Sequence, residues 1–379
     1  MRILVLTHEF PPVGGGGARV IQDLCTGLAN RGHELRVVTT HFEGASKKEE
    51  TDHVHVLRIS CGRKVPYRAR LIEMGRFVAS GFWVGIREIS RWRPDLIHVH
   101  FAVPAGALGW ALSTLTRVPY VLTAHGGDVP GGAPEKTAGW FRWVYPFTPP
   151  IWRSARKVVA VSEQTRDLAL RYYPRDIQVI RNGFNFEAMQ PEEIKLGEPP
   201  QIIWAGRFMP EKNPIQVVRT LAKLRDLSWR CVMIGDGPER ARVEQEITEQ
   251  GLSQRFTVTG WLPQEEVMAW FAQSDILFMP SFMEGLPIVG LQALAKGLAI
   301  VATGVGGFLD LVQPMINGYL VEEANGYGFV APIRDLLCDR VALKNFREAS
   351  LEVAGRFDIR LMIESYDELL RSAVSVNER

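Results

Sequence analysis

Ser281-Phe282-Met283-Glu284-Gly285-Leu286-Pro287, running on through Ile288 to Gly297, puts an acid in a loop that breaks abruptly into a helix. Gly285 supplies backbone freedom, and Pro287 suits the first helical position, where a missing N–H costs nothing. The unpaired amides and positive dipole end of such a helix attract an anion such as a diphosphate. Glu284, beside them, is placed to hold hydroxyls, a cation or a proton. An acid next to an anion site suits a ligand that carries both a sugar and a diphosphate.

Around this loop, short apolar runs alternate with helical-period segments along the whole chain, which reads as repeated βαβ units in two parallel sheets. The first half is predicted to place strands at Ile3–Thr7, Leu35–Thr40, Val54–Ile59, Leu96–Phe101, Tyr120–Thr123, Lys157–Val161 and Gln178–Ile180. The second half is predicted to place them at Ile202–Ala205, Cys231–Ile234, Phe256–Val258, Ile276–Met279, Ile300–Ala302 and Tyr319–Val321. A polar, proline-rich stretch from Gln190 to Pro200 reads as the linker between the halves. A stripe of Ile359, Met362, Ile363, Tyr366 and Leu369-Leu370 predicts a last helix over Asp358 to Ala373.

With 379 residues, 46% hydrophobic and 23% charged, the chain has room for two domains of ordinary size, each with its own core. Cys25, Cys61, Cys231 and Cys338 have neither pairing nor metal-ligand spacing, which argues for a reducing compartment and against a zinc site. The start lacks the apolar core of a signal peptide, and no apolar run is long enough to span a bilayer, so a cytoplasmic protein is expected. The formal net charge of +2 conceals an asymmetry. Residues 1–185 carry 25 Lys+Arg against 15 Asp+Glu; the remainder carries 19 against 27, and all eight histidines lie in the first half. The basic half is expected to meet an anionic partner.

Several loops after strands carry candidate chemistry. Pro11-Pro12-Val13-Gly14-Gly15-Gly16-Gly17 follows the first strand and precedes a helix expected from about Arg19 to Asn30. Its glycines let backbone amides approach a ligand, as phosphate loops do. A dinucleotide fingerprint fits poorly, because two prolines intervene and the second strand ends in Thr39-Thr40-His41 without an acid. His125, in Thr123-Ala124-His125-Gly126-Gly127-Asp128, sits at a strand's carboxyl end, where open α/β sheets place ligands. His98 and His100 alternate along Ile-His-Val-His, which is read as exposing both on one face, outside the site. Arg207 and Lys212, after Trp204-Ala205-Gly206, offer a planar fork and a point charge to a diphosphate. Gly235-Asp236-Gly237-Pro238-Glu239 and Thr303-Gly304-Val305-Gly306-Gly307 end further strands in turns.

Glu284 and Gln292, with seven residues between them, resemble the Glu-x7-Glu signature of retaining glycosyltransferases of family 4, with Gln in place of the second Glu. Gly15-Gly16, the His125 element, Gly206-Arg207 with Glu211-Lys212, Gly306-Gly307 and Asn317-Gly318 resemble that family's motifs in order, and the likeness runs from about residue 2 to residue 370. Asn182-Gly183 resembles the element closing the first domain, with Asn185 where Asp is usual. The resemblance implies the GT-B fold, an α/β architecture of two Rossmann-like doubly wound domains facing each other across a cleft. Residues 1–187 are then the acceptor domain and 198–355 the nucleotide-sugar domain, with 356–379 crossing back to the first.

The implied reaction moves a sugar from a nucleotide-diphosphate sugar, with retention of configuration, to a glycan, lipid-linked or small-molecule acceptor, in surface polysaccharide or glycoconjugate synthesis. His125, Arg207, Lys212 and Glu284 become the catalytic set. Gly15, Gly16, Gly235, Gly237, Gln292, Gly306 and Gly307 become donor contacts. Neither a cofactor nor a metal ion is expected, since two cations neutralise the diphosphate and no Asp-x-Asp motif occurs. Rival readings are a nucleotide-sugar epimerase and a non-catalytic sugar-nucleotide-binding protein. Arg58 to Arg93 holds nine basic and two acidic residues interleaved with Tyr67, Phe77, Phe82, Trp83 and Trp92, and Trp140 to Phe147 is similar. These segments read either as a patch for anionic lipid, on the inner face of the cytoplasmic membrane, or as a core-facing aromatic stripe with a solvated basic face. Nucleic acid is not expected, for want of a binding motif.

Overall fold

The computed structural model describes residues 1–51, 53–65, 69–132, 141–185, 190–191, 193–285 and 287–375. Two compact units divide the chain: Met1–Gly183 with the helix Ile359–Ser375, and Phe184–Asp358. The expected linker bounds and the segments around Tyr67 and Trp140 fall partly outside the described residues, as does Leu286.

In the first unit, β1 (Arg2–Leu6), β2 (Glu34–Thr40), β3 (Lys48–Thr51), β4 (Val54–Ile59), β5 (Leu96–His100), β6 (Tyr120–Ala124), β7 (Lys157–Ala160) and β8 (Gln178–Val179) form one sheet. Its order is β3-β4-β2-β1-β5-β6-β7-β8, with every pairing parallel except β3 on β4. Helices cover both faces, so central strands such as Leu4-Val5-Leu6 and Val121-Leu122 are buried outright and read as continuous apolar runs. All seven strands expected here are present. β3 was not anticipated, because Lys48-Glu49-Glu50-Thr51 has no apolar face. Its charges instead suit an edge strand, where they discourage further pairing. The order reverses between β1 and β5, and β1, β5 and β6 all point their carboxyl ends the same way.

The second unit repeats the plan with β9 (Gln201–Ala205), β10 (Arg230–Ile234), β11 (Phe256–Gly260), β12 (Ile276–Met279), β13 (Ala299–Thr303) and β14 (Gly318–Val321) in the order β11-β10-β9-β12-β13-β14, all parallel. Here the order reverses between β9 and β12. In open α/β sheets ligands bind beyond the carboxyl ends of the strands at such a switch point.

Two helices bear on the site. The helix after the glycine run begins at Gly16, three residues before the expected start, with Gly15 as its cap. Glycine is a poor helix former, and propensity therefore placed the start too late. The helix Ile359–Ser375 packs on the helix Gly16–Asn30 and on β5 and β6, through Met362, Ile363, Tyr366 and Leu370. His33 Nε2 and Asp367 Oδ1 lie 2.9 Å apart in this seam. Among the described residues, no helix is long and apolar enough to cross a membrane.

Candidate functional site

In the second unit, the loops leaving β10, β9, β12 and β13 carry Gly235-Asp236-Gly237, Gly206-Arg207, Ser281–Gly285 and Gly304–Gly307 respectively. A 3-10 turn over Pro210–Lys212 follows the second of them. Asn213, buried beside it, ties the turn down by donating from Nδ2 to the Ala324 carbonyl at 2.8 Å. The amide of Phe282 donates to the Glu211 carbonyl at 2.9 Å, which draws the β12 loop against the turn. As a result Lys212 Nζ donates to Glu284 Oε2 at 2.6 Å, and Ser281 Oγ donates to Glu284 Oε1 at 2.8 Å. The Glu284 side chain is 5% exposed and that of Lys212 19%. Both carboxylate oxygens are thus engaged in a site with little water, where charge-assisted bonds are strong.

The glycines are explained by close backbone approach. A Cβ on Gly306, at φ +62°, would overlap the Glu284 carbonyl, and the Gly307 amide donates to the Gly285 carbonyl at 2.6 Å. A Cβ on Gly235, at φ +129°, would overlap the Gly206 carbonyl. Gly237 lies against Phe208, whose amide donates to the Asp236 carbonyl at 3.0 Å. The loops bearing Arg207, Lys212, Glu284, Gly235, Gly237, Gly306 and Gly307 are therefore stitched to one another. Gln292 lies on the helix Ile288–Ala295, buried, and its side-chain amide has no hydrogen-bond partner among the described residues. Pro287 is the cap of that helix, one residue outside the position expected.

In the first unit, His125 stands beyond β6, and its ring stacks on Phe101 with centroids 4.3 Å apart and planes at 30°. A Cβ on Gly17, in the first turn of the helix Gly16–Asn30, would lie 3.9 Å from His125 Nδ1. The structure thus brings the glycine run and His125 together at the carboxyl ends of β1 and β6. Gly15 is exposed, with open space where a side chain would stand. Asp128 is buried and accepts the amides of His125 at 2.8 Å and Ala102 at 2.5 Å, which clamps the tips of β5 and β6. Burial pushes its carboxyl up to about 6 against the pull of those amides.

The expectation that His98 and His100 are exposed is incorrect. Both lie on β5, a strand covered on both faces, and both are buried. His98 Nε2 pairs with Thr123 Oγ1 at 3.0 Å, Thr123 Oγ1 with the Tyr366 hydroxyl at 3.4 Å, and His100 Nδ1 with His125 Nε2 at 3.1 Å. Burial draws His98, His125 and the neighbouring His8 down to about 3, helped at His8 by Arg63, and lowers His100 well below the ordinary range. All four rings are neutral at pH 7. The available signal was that β5 is flanked by apolar strands on either side, so polar groups on it must find buried partners.

The aromatic residues of the basic segment divide. Phe77 and Trp92 enter the core and Phe82 packs on its edge, whereas Trp83 is 74% exposed, on one face of the helix Leu71–Trp92 with Ile72, Arg76 and Arg87. Trp143 and Phe147 are exposed as well. Among the described residues, no group of three or more His, Cys, Asp or Glu side chains is arranged to hold a metal ion.

Residues 14–188 match the family model Glycosyltransferase Family 4, and residues 185–353 match Glycosyl transferases group 1. The putative teichuronic acid biosynthesis glycosyltransferase TuaC of Bacillus subtilis (strain 168) is 31% identical over 259 residues, which cover 66% of this chain and 63% of that protein, a little under two thirds of its length. Sucrose-phosphate synthase from Thermosynechococcus elongatus superposes with a TM-score of 0.87 at 20% identity, over 99% of this chain and 100% of the other. Anabaena Alr3699/HepE in complex with UDP-glucose gives 0.77 at 19% identity, over 98% and 100%. At such identities the structural likeness speaks for the fold, whereas the two family models together span more than half of the residues. The chain belongs to glycosyltransferase family 4 and carries its GT-B fold.

Proposed function

We propose that this glycosyltransferase moves a sugar from a nucleotide-diphosphate sugar to a glycan or lipid-linked acceptor with retention of anomeric configuration and without a metal ion. The observation that carries the reading is the buried Lys212–Glu284–Ser281 constellation, fixed beside the Gly306-Gly307 turn at a sheet switch point. A cation and an acid held together serve a donor that has both a diphosphate and hydroxyls. In this reading Arg207 and Lys212 neutralise charge as the diphosphate leaves, which stabilises the transition state electrostatically. Glu284 orients sugar hydroxyls, and the Gly306 amide faces the donor, while the Gly307 amide holds the turn against Gly285. Gly235 and Gly237 keep the adjoining loop close enough to line the nucleotide. Gln292, buried with a free amide, takes the ribose hydroxyls. From the first unit, His125 contacts the sugar and Gly15 and Gly16 offer amides.

The UDP-glucose bound by Anabaena Alr3699/HepE supports a nucleotide-sugar donor, and the naming of TuaC supports an acceptor from surface polysaccharide synthesis. The face bearing Ile72, Arg76, Trp83 and Arg87 suits anionic lipid, since basic groups meet headgroups and Trp favours the interface. This favours work at the cytoplasmic face of a membrane on a lipid-linked acceptor.

The test incubates the purified protein with a panel of nucleotide sugars, with and without polyprenyl-linked and free saccharide acceptors, in the presence of EDTA. Proton NMR of the product reads its anomeric configuration. Acceptor-dependent formation of a glycoside with the donor's configuration is expected. Inverted product, or turnover abolished by EDTA, overturns the corresponding part of the reading, and donor isomerisation without acceptor would make the protein an epimerase.

A further inference from the structure

His100 and His125 raise a question of proton placement that the surrounding contacts answer. Both rings are neutral at pH 7, so in the contact of 3.1 Å between His100 Nδ1 and His125 Nε2 one nitrogen donates and the other accepts. If His125 donated from Nε2, the single proton of His100 would sit on its own Nε2. That atom is buried and has no hydrogen-bond partner, in a residue only 1% exposed. A buried N–H without an acceptor is rare, whereas a bare lone pair is tolerated more readily. The reverse assignment leaves only a lone pair at His100 Nε2. In it His100 Nδ1–H donates, His125 Nε2 accepts, and the proton of His125 is displaced to Nδ1.

The neighbours hold this arrangement in place. The His98 and His100 rings lie with centroids 4.2 Å apart, and His98 is anchored in turn through Thr123 to Tyr366 of the helix Ile359–Ser375. Phe101 stacks on His125, and the backbone of His125 is held by Asp128. Both ring position and ring rotation are therefore constrained before a ligand arrives. The nitrogen that carries the proton, Nδ1, faces the start of the helix Gly16–Asn30 at Gly17, where the absence of a side chain leaves it uncovered.

We infer that His100 is a positioning residue that locks His125 in the Nδ1–H tautomer, so that His125 presents a hydrogen-bond donor beside Gly17 to an oxygen of the donor sugar. The last step rests on the proposed role of His125; the tautomer does not. The consequence for specificity is that His125 recognises an acceptor atom, a hydroxyl or ring oxygen, and has no lone pair to offer on that side.

Full-length protein labelled with ¹⁵N-histidine tests the first part by long-range proton–nitrogen NMR, with His125→Gln and His100→Asn used to assign the resonances. Protons on Nδ1 of both His100 and His125 are expected, against the Nε2–H form that dominates for free histidine. A proton on Nε2 of His125 overturns the proposal. Kinetics test the second part. His100→Leu should lower kcat/KM by roughly 10- to 100-fold, taking as the scale the cost of losing a group that orients a metal-bound histidine. His100→Asn keeps an N–H donor at the position of Nδ1 and should restore most of it. Equal activity in His100→Leu and wild type refutes positioning. If His100→Leu does not fold, the wild-type spectrum and His100→Asn still decide. Full activity in His125→Ala, with the Nδ1–H tautomer observed, would overturn the sugar contact and leave the tautomer standing.

Discussion

Removing the Lys212 ammonium while leaving Glu284 in place is the sharpest perturbation available. The two atoms are 2.6 Å apart, with side chains 19% and 5% exposed. Breaking a fully buried pair from one side costs about 3–5 kcal/mol, because the surviving charge loses its partner and cannot rehydrate. Lys212 retains some water and Ser281 still donates to Glu284, so Lys212→Met should destabilise the second unit by about 2–4 kcal/mol. That is at least a roughly 30-fold fall in the ratio of folded to unfolded unit. Glu284→Gln removes the orphaned charge, so the double variant should recover most of the loss, with a coupling energy above about 1 kcal/mol. Urea unfolding of the four proteins of the cycle, followed by hydrogen exchange resolved to peptides of the second unit, measures this directly. Turnover should stay lost in all three variants, since each lacks a group that meets the donor. A stability change below about 0.5 kcal/mol for Lys212→Met would refute the reasoning and return Lys212 to the pool of ordinary surface lysines.

Acidification should unfold one unit selectively. His8, His98 and His125 titrate at about 3 when folded, against 6.5 unfolded, so the unfolded chain binds more protons in this window. Stability present above pH 6.5 is lost as pH falls toward 3, by about 2 kcal/mol per histidine at pH 5. Asp128, raised to about 6, works the other way, its contribution being complete below the ordinary carboxylate range and lost as pH rises through 6, but three histidines outweigh it. Hydrogen exchange at pH 7.5 and 5.0 should show the loss confined to the first unit; equal loss in both would contradict it. Gly17→Ala places a methyl 3.7 Å from Phe101 and 3.9 Å from His125, an ordinary fit, so thermal stability should rise by about 0.5–1 kcal/mol while kcat/KM falls about 10- to 100-fold. Calorimetric titration of Gln292→Glu with the donor should show binding preserved or tightened, by up to about tenfold; weaker binding would mean that Gln292 serves another partner. Arg207→Ala should lower kcat by about 10²–10³, and near-normal kcat/KM would remove Arg207 from the diphosphate.

What could be read from the chain depended on whether the deciding contact was local. Strands such as Ile276–Met279 announce themselves, because a parallel strand covered on both faces has to be a short apolar run. Lys48–Thr51 carries no such mark; it exists because β4 offers an edge, a property of another segment. The same distinction separates the site residues. Glu284 stands out in its own loop, but its pairing with Lys212 spans 72 positions and follows from how two strand ends lie side by side. For His98 and His100 alternation suggests one wet face, a rule that fails for a strand with helices on both sides. In the helix Leu71–Trp92, composition could not say which aromatic faced outward. Packing sends Phe77 in and Trp83 out.

The helix Ile359–Ser375 is made after the second unit yet belongs to the unit that is begun first. During synthesis, β1 through β8 emerge without the surface that Met362, Tyr366 and Leu370 provide, and the whole second unit is translated before it arrives. The inserted unit is contiguous in sequence and can close its own core without that helix. The first unit cannot, because Gly27 stays bare until Ile363 lies against it and His33 waits for Asp367. Domain order along the chain and order of completion are therefore opposite. A chain cut at residue 358 would therefore pair a complete second unit with an incomplete first one, whose helix Gly16–Asn30 shows water the face that the helix Ile359–Ser375 covers.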